Sequence, residues 1–266
     1  MKLSAPIHVL RTRAKALKRE QNIPLPSALN QTAAREGFAT WSLLMSHRED
    51  LVPTRYSELL DYVNPGDLML VAARPGIGKT IFSIGLGAQI VRDDQRLFLF
   101  SLVERESQMW ERLGASGVER SDRVLIDCSD EICSDHIVSR IRAEISPGDM
   151  VLVDYLQRLD ERRVTAPLQE QVSSLKDLAE ETGCIVVFIC QLQREVEERV
   201  DGRPAPADIR LPNPLGLGVF HKIVLLSRMH GQTDLVDVQS ASGSEFRFSA
   251  ALRRAPLTIM DAQAPG

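Results

Sequence analysis

The sequence predicts an α/β fold with a mostly parallel sheet covered by helices on both faces, preceded by a small helical module. Three observations predict it. From about residue 56, apolar runs of strand length alternate with segments of helical period, the pattern of a sheet buried on both sides. One of those runs leads through a glycine loop into a helix. The charge balance also changes near residue 50.

The N-terminal stretch is basic in a chain that is acidic overall. Met1 to Arg48 carries Lys2, Arg11, Arg13, Lys15, Lys18, Arg19, Arg35 and Arg48 against Glu20 and Glu36, whereas the full 266 residues sum to -4. Ile7, Leu10, Ala14 and Leu17 follow a helical period. Pro24 and Pro26 break it, Ser27 is placed to cap a second helix running to Arg35, and Gly37 ends that one. Phe38, Trp41 and Leu44 suggest a third, short helix. Residues 1–50 are therefore expected to form a small basic helical module with a protein partner, nucleic acid or a neighbouring subunit on its charged side. A solvated helix face is the competing reading. Residues 51–55 read as a linker.

Strands are expected at Leu68–Ala73, Leu97–Ser101, Val124–Cys128, Met150–Asp154, Ile185–Cys190 and Ile223–Ser227. Helices are expected at Ile81–Val91, Gln108–Leu113, Ile137–Ile145 and Leu168–Thr182. Leu235–Val238 and Glu245–Phe248 suggest a terminal antiparallel pair, and residues 251–266 read as a loose tail.

Composition closes off several classes. The longest apolar run, Cys184 to Cys190, is far below the ~18 residues of a membrane-spanning helix. No apolar signal-peptide core fits the N-terminus, so a cytoplasmic protein without a membrane partner is expected. Cys128, Cys133, Cys184 and Cys190 form no C-x-x-C pair, and buried reduced thiols are expected. The five histidines show no metal-ligand spacing.

The chemistry concentrates at Pro65–Thr80. Leu68–Ala73 is strand-like, Arg74–Gly78 is a tight loop with two glycines and a proline, and a helical period follows Lys79-Thr80. In that context successive backbone N–H groups curl around an anion, and the helix N-terminus adds partial positive charge. Gly76, Ile77, Gly78, Lys79 and Thr80 are the expected phosphate ligands for ATP. Lys79 reaches the terminal phosphates, and Thr80 places its hydroxyl on Mg²⁺. The pattern's usual first glycine is Ala73 here. Met150–Asp154 is a buried-type strand ending in a carboxylate, which makes Asp154 the second expected holder of Mg²⁺. Loop and carboxylate are expected on neighbouring strands.

These residues resemble the C-terminal domain of DnaB-type replicative helicases. Val71-Ala72-Ala73-Arg74-Pro75 through Gly78-Lys79-Thr80 resembles that family's phosphate loop, and Asp154-Tyr155-Leu156-Gln157 resembles its Asp-Tyr-Leu-Gln motif. Phe100-Ser101-Leu102 is similar to its Phe-Ser-Leu-Glu segment. Gln191-Leu192-Gln193-Arg194 is similar to Gln-Leu-Asn-Arg, while Arg203-Pro204 and Asp208-Ile209-Arg210 match the DNA-facing stretch that follows. The resemblance spans about Tyr56 to Phe248. It implies a RecA-like P-loop core, ATP bound between subunits of a homo-oligomeric ring, and action on single-stranded DNA. It also implies Gln191 as nucleotide sensor and Arg194, Arg203 and Arg210 as DNA contacts. The nearby Arg158, Arg162 and Arg163 are further candidates, with a solvated loop as their competing reading.

Three departures bear on activity. The family's catalytic glutamate aligns with Val103, so hydrolysis would need Glu104 as a substitute; an exposed loop acid is the competing reading of Glu104. The family's Lys-x-Arg-x-Gly hairpin, which reaches the neighbour's ATP, is replaced by Val238–Gly243 without a cation, leaving Arg228 or Arg247 as stand-ins or as surface arginines. Leu211–Gly218 replaces the family's Glu-Ser-Gly stretch with a proline- and glycine-rich loop that has little grip on phosphate. The residues thus leave open an ATP-hydrolysing helicase or translocase, a nucleotide-binding scaffold that has lost its motor cycle, and a filament-forming recombinase relative.

Overall fold

The computed structural model describes residues 3–5, 7–47, 52–159, 165–193, 203–209, 211, 213–228, 234–241, 245–254 and 257–262. They form two compact units, Met1–Tyr62 and Val63–Gly266.

The first unit holds α1 (Ile7–Gln21), α2 (Leu25–Arg35), α3 (Trp41–Ser46) and a 3₁₀ turn at Tyr56–Tyr62. Ile7, Leu10, Ala14 and Leu17 lie at i, i+3, i+7 and i+10 and are all buried, which gives α1 one apolar stripe. Ile7 and Leu10 pack with Ala33, Phe38 and Leu44, and Ala14 and Leu17 with Ala28. The carboxylate of Asp61 accepts the Ile7 backbone N–H at 2.6 Å, so a residue of the 3₁₀ turn satisfies a free donor at the start of α1. Thr40 caps α3 by accepting the Leu43 N–H. The second helix begins at Leu25 with Pro24 as its cap, three residues ahead of the expected cap Ser27, because Pro26 fits the first turn of a helix without losing a hydrogen bond.

The second unit is a nine-stranded sheet in the order β3-β2-β4-β5-β1-β6-β7-β8-β9. Its strands are β1 (Leu68–Ala73), β2 (Leu97–Ser101), β3 (Val124–Asp127), β4 (Met150–Asp154), β5 (Ile185–Gln191), β6 (Lys222–Arg228), β7 (Leu235–Ser240), β8 (Arg247–Arg254) and β9 (Leu257–Asp261). The first six pair in parallel and the last three antiparallel. Every residue of β1, β2 and β4 is buried, as continuous apolar runs require when both faces are covered. The helices are α4 (Lys79–Arg92), α5 (Glu106–Ala115), α6 (Ser134–Ile141) and α7 (Leu168–Thr182). Gly87 lets α4 lie close to the sheet, since a Cβ there would sit 2.8 Å from Leu97 Cδ2.

Two expectations change. β5 lies between β1 and β4, so the loop and Asp154 come from strands that are not neighbours. Residues 251–254 and 257–261 are not a loose tail: β8 runs to Arg254 and β9 adds an edge strand, with alternate residues Ala250 and Leu252 buried. The stretch from Leu211 is partly seated on the core, where Leu215 and Phe220 are buried and Leu211, Leu217 and Val219 pack beside them. Phe220 meets Phe188 edge-on with centroids 5.8 Å apart. Of the cysteines, Cys184 and Cys190 are buried while Cys128 and Cys133 are half-buried, and all four are free thiols.

Candidate functional site

The site is built at the carboxyl ends of β1, β2, β4 and β5, where open parallel sheets hold ligands. β1 ends at Ala73, and the chain then turns through Gly76 (φ +77) and Gly78 (φ +104) before α4 starts at Lys79. Positive φ at Gly78 is a region that residues with a side chain rarely enter. It aims the first turn of α4 back over the loop. Above Gly76 a Cβ would meet nothing within 4 Å, so the loop has room over it. On its other side, Leu252 of β8 lies 3.4 Å from where a Gly78 Cβ would stand, and Arg228 at the end of β6 donates to the Gly76 carbonyl at 2.8 Å.

Thr80, in the first turn of α4, donates its hydroxyl to Asp154 Oδ2 at 3.0 Å. Asp154 is 3% exposed. Burial pushes its carboxyl up to about 6, opposed by the Thr80 hydrogen bond and the Lys79 charge. Burial also lowers the Lys79 ammonium, opposed by Asp154. An ammonium, a hydroxyl and a carboxylate thus meet at the mouth of an anion-shaped turn. Hydroxyl and carboxylate are hard oxygen donors of the kind magnesium takes, and the room above Gly76 suits a polyphosphate.

The turn after β2 is fixed against the same carboxylate. Ser101 pairs with Asp154 across the β2–β4 register, and the Leu102 N–H donates to the Asp154 carbonyl at 2.8 Å. The Ser101 hydroxyl accepts the N–H groups of Val103 and Glu104. Arg158 donates to the Leu102 carbonyl at 2.7 Å. Val103 is left 52% exposed. Glu104 is held by Arg112 of α5 through two hydrogen bonds of 2.7 and 2.6 Å, and its charge contributes to the upward shift at Asp154. Glu104 is therefore not the exposed loop acid of the competing reading; it is an ion-paired acid within electrostatic reach of Asp154.

Gln191 closes β5 in register with Ala73 at the end of β1. Its carbonyl accepts the Gln157 side chain at 3.1 Å, which ties the Asp-Tyr-Leu-Gln segment to the end of β5. The following stretch is tied back as well: Gln193 N–H donates to the Asp208 carbonyl, and Asp208 accepts the Ala205 N–H at 2.7 Å. Arg203 is exposed at the start of this stretch. Arg162, Arg163, Arg194 and Arg210 lie outside the described residues. Where a cation was sought near the C-terminus, Gln239 is 5% exposed and donates to the Pro204 carbonyl, while Arg247 grips Asp237. Of the two stand-in arginines, Arg228 reaches the loop and Arg247 does not. The sequence reading missed Arg112 and Leu252. Arg112 left one signal, an opposite charge eight residues beyond Glu104; Leu252 left none, because it depends on the curl of the final strands.

Strand, glycine loop, helix and facing carboxylate define a P-loop α/β domain. The chain belongs to the DnaB-like helicase C-terminal domain family, whose model matches residues 52–123 and 115–213. Among curated proteins it is 31% identical over 178 residues to the replicative DNA helicase DnaB of Synechocystis sp., covering 54% of this chain and 20% of that protein. It is 30% identical over 198 residues to the replicative DNA helicase DnaC of Bacillus subtilis, covering 60% and 43%. The chain thus spans between a fifth and less than half of these relatives. Among solved structures, an ATPase domain superposes with a TM-score of 0.65 at 23% identity, over 80% of this chain and 91% of that one. A DnaB-like replicative helicase, solved for its interactions with primase, gives 0.64 at 21% identity, over 91% and 73%. Both show a shared fold.

Proposed function

We propose that the chain binds ATP with Mg²⁺ and hydrolyses it as a motor-type domain that engages single-stranded DNA within a homo-oligomeric ring in the cytoplasm. The observation that carries the reading is the 3.0 Å contact between Thr80 and Asp154 beside the Lys79 ammonium. In this reading the backbone of Gly76 to Thr80 cradles the phosphates, and Lys79 neutralises the terminal one. Thr80 and Asp154 hold the metal, which when bound offsets phosphate charge. Glu104 is an acid whose charge reaches the metal-holding carboxylate, and Gln191 relays the nucleotide state toward Arg194, Arg203 and Arg210. Among the described residues no helix is long and apolar enough to cross a membrane. The test is ATP hydrolysis with and without single-stranded DNA. Turnover stimulated by DNA and lost in Lys79→Ala supports the motor; absence of turnover at every protein concentration overturns it.

A second reading, a nucleotide-binding scaffold without a motor cycle, is favoured by Val103 and by the inward ties of Gln239 and Arg247. The basic module of residues 1–50 would then recruit the partner. It expects ATP binding with negligible hydrolysis, and hydrolysis gained in Val103→Glu. Robust turnover by the unaltered chain excludes it.

A further inference from the structure

We infer that Arg112 is the positioning residue for Glu104 and holds that acid in a withdrawn state, so that opening the Arg112–Glu104 pair is what admits hydrolysis. The inference rests on the ATP-binding reading above. Four observations carry it. The turn bearing Glu104 is fixed to the site on three sides: by the Ser101 hydroxyl, by the Asp154 carbonyl and by the Arg158 guanidinium. Glu104 lies three residues beyond Ser101, the register partner of Asp154, and its N–H donates to the Ser101 hydroxyl. Both Glu104 oxygens are engaged by one guanidinium, at 2.7 and 2.6 Å. The pair is sheltered rather than buried, with side chains 25% and 18% exposed.

A carboxylate forked in this way has one lone pair on each oxygen committed to an N–H donor and its charge offset by the guanidinium, which weakens it as a base. It cannot turn toward a water without losing both hydrogen bonds. The pair is nevertheless open enough to separate, since water can re-solvate each charge as it leaves; an ion pair sealed in the core would resist with a large desolvation cost. Arg112 is placed for such a motion because it sits near the end of a ten-residue helix anchored by Met109 and Leu113. A change of rotamer at Arg112 moves the guanidinium while those two anchors stay in place. The neighbouring Val103 cannot substitute, having no group that accepts a proton.

The experiment uses the full chain. Nucleotide affinity is measured first with a fluorescent ATP analogue and Mg²⁺, followed by steady-state ATP hydrolysis for the unaltered chain, Arg112→Met, Arg112→Lys, Glu104→Gln and the Arg112→Met/Glu104→Gln double variant. If Arg112 withholds Glu104, Arg112→Met raises kcat by roughly tenfold or more, within the range general-base catalysis supplies, while KM and analogue affinity stay the same. Arg112→Lys falls between, because an ammonium is a point charge and cannot fork. The double variant falls back to the level of Glu104→Gln. If Arg112 only braces the fold, its variants lower thermal stability and kcat does not rise, which overturns the inference. A kcat rise that survives Glu104→Gln also overturns it. Unchanged analogue affinity with no gain in kcat sinks this inference and leaves the ATP-binding reading standing; failure of the unaltered chain to bind the analogue sinks both.

Discussion

The Thr80 hydroxyl donates to Asp154 across 3.0 Å although 74 residues separate them and β5 runs between the strands that lead to them. The contact spans the intervening strand because Thr80 sits past the loop, in the first turn of α4, and not at the end of β1. The helix therefore carries the hydroxyl over β5 to the carboxylate.

Replacing Lys79 by alanine removes the ammonium that burial has already made costly to keep charged. ATP affinity is expected to fall by at least roughly tenfold, about 1.4 kcal/mol, with no loss of thermal stability in the nucleotide-free chain. Titration with a fluorescent ATP analogue, alongside a melting curve, checks both halves.

Asp154 sets a pH dependence. Its folded value of about 6 lies above the ordinary 3.8, so between these values the folded state holds more proton than the unfolded one. This group's contribution to stability therefore falls as pH rises from about 4 to about 6, and the penalty is complete above that. Metal binding runs the other way, because only the carboxylate holds a cation. Magnesium-dependent ATP affinity is expected to drop roughly tenfold one pH unit below 6. Asp154→Asn should flatten that profile and raise the melting temperature at pH 7.5. A magnesium dependence unchanged between pH 7.5 and 5 would contradict this.

Gly87 sits where a Cβ would press on Leu97 at 2.8 Å, and Leu97 is fully buried with nowhere to shift. Gly87→Val is expected to destabilise the second unit by about 2 kcal/mol or more. Urea denaturation reads this as a lowered midpoint with an unchanged slope.

Asp61 accepts the Ile7 N–H within the N-terminal unit. Asp61→Ala leaves a helix-start donor unmet and should cost that unit about 1 kcal/mol without changing nucleotide affinity. Hydrogen exchange at the first turn of α1 gives the direct readout.

Much of the framework was legible because it depends on local pattern. The runs at Leu68–Ala73, Leu97–Ser101 and Met150–Asp154 are strands with those bounds, since a strand apolar on both faces leaves an uninterrupted signature. The helix Leu168–Thr182 was equally clear, its end marked by Gly183 in a left-handed conformation. What was not legible depends on long-range geometry. β9 escaped because Ala255 and Pro256 interrupt the run and its pairing partner is β8, whose second half is read as tail. The Glu104–Arg112 pair was hidden because an ion pair between a loop residue and a helix residue eight positions on leaves only two opposite charges in the sequence. Gln239 and Pro204 meet only after β7 folds beside the segment that follows β5.

The matched family segment stops at residue 213, but the loop's immediate surroundings do not. Leu252 flanks Gly78 and Arg228 holds the Gly76 carbonyl, while β9 packs beside α4 and α5. Cutting the chain back to its family boundary would strip away one wall of the cleft. An inactive short fragment would then report on four missing strands and say nothing about the chemistry of the phosphate loop.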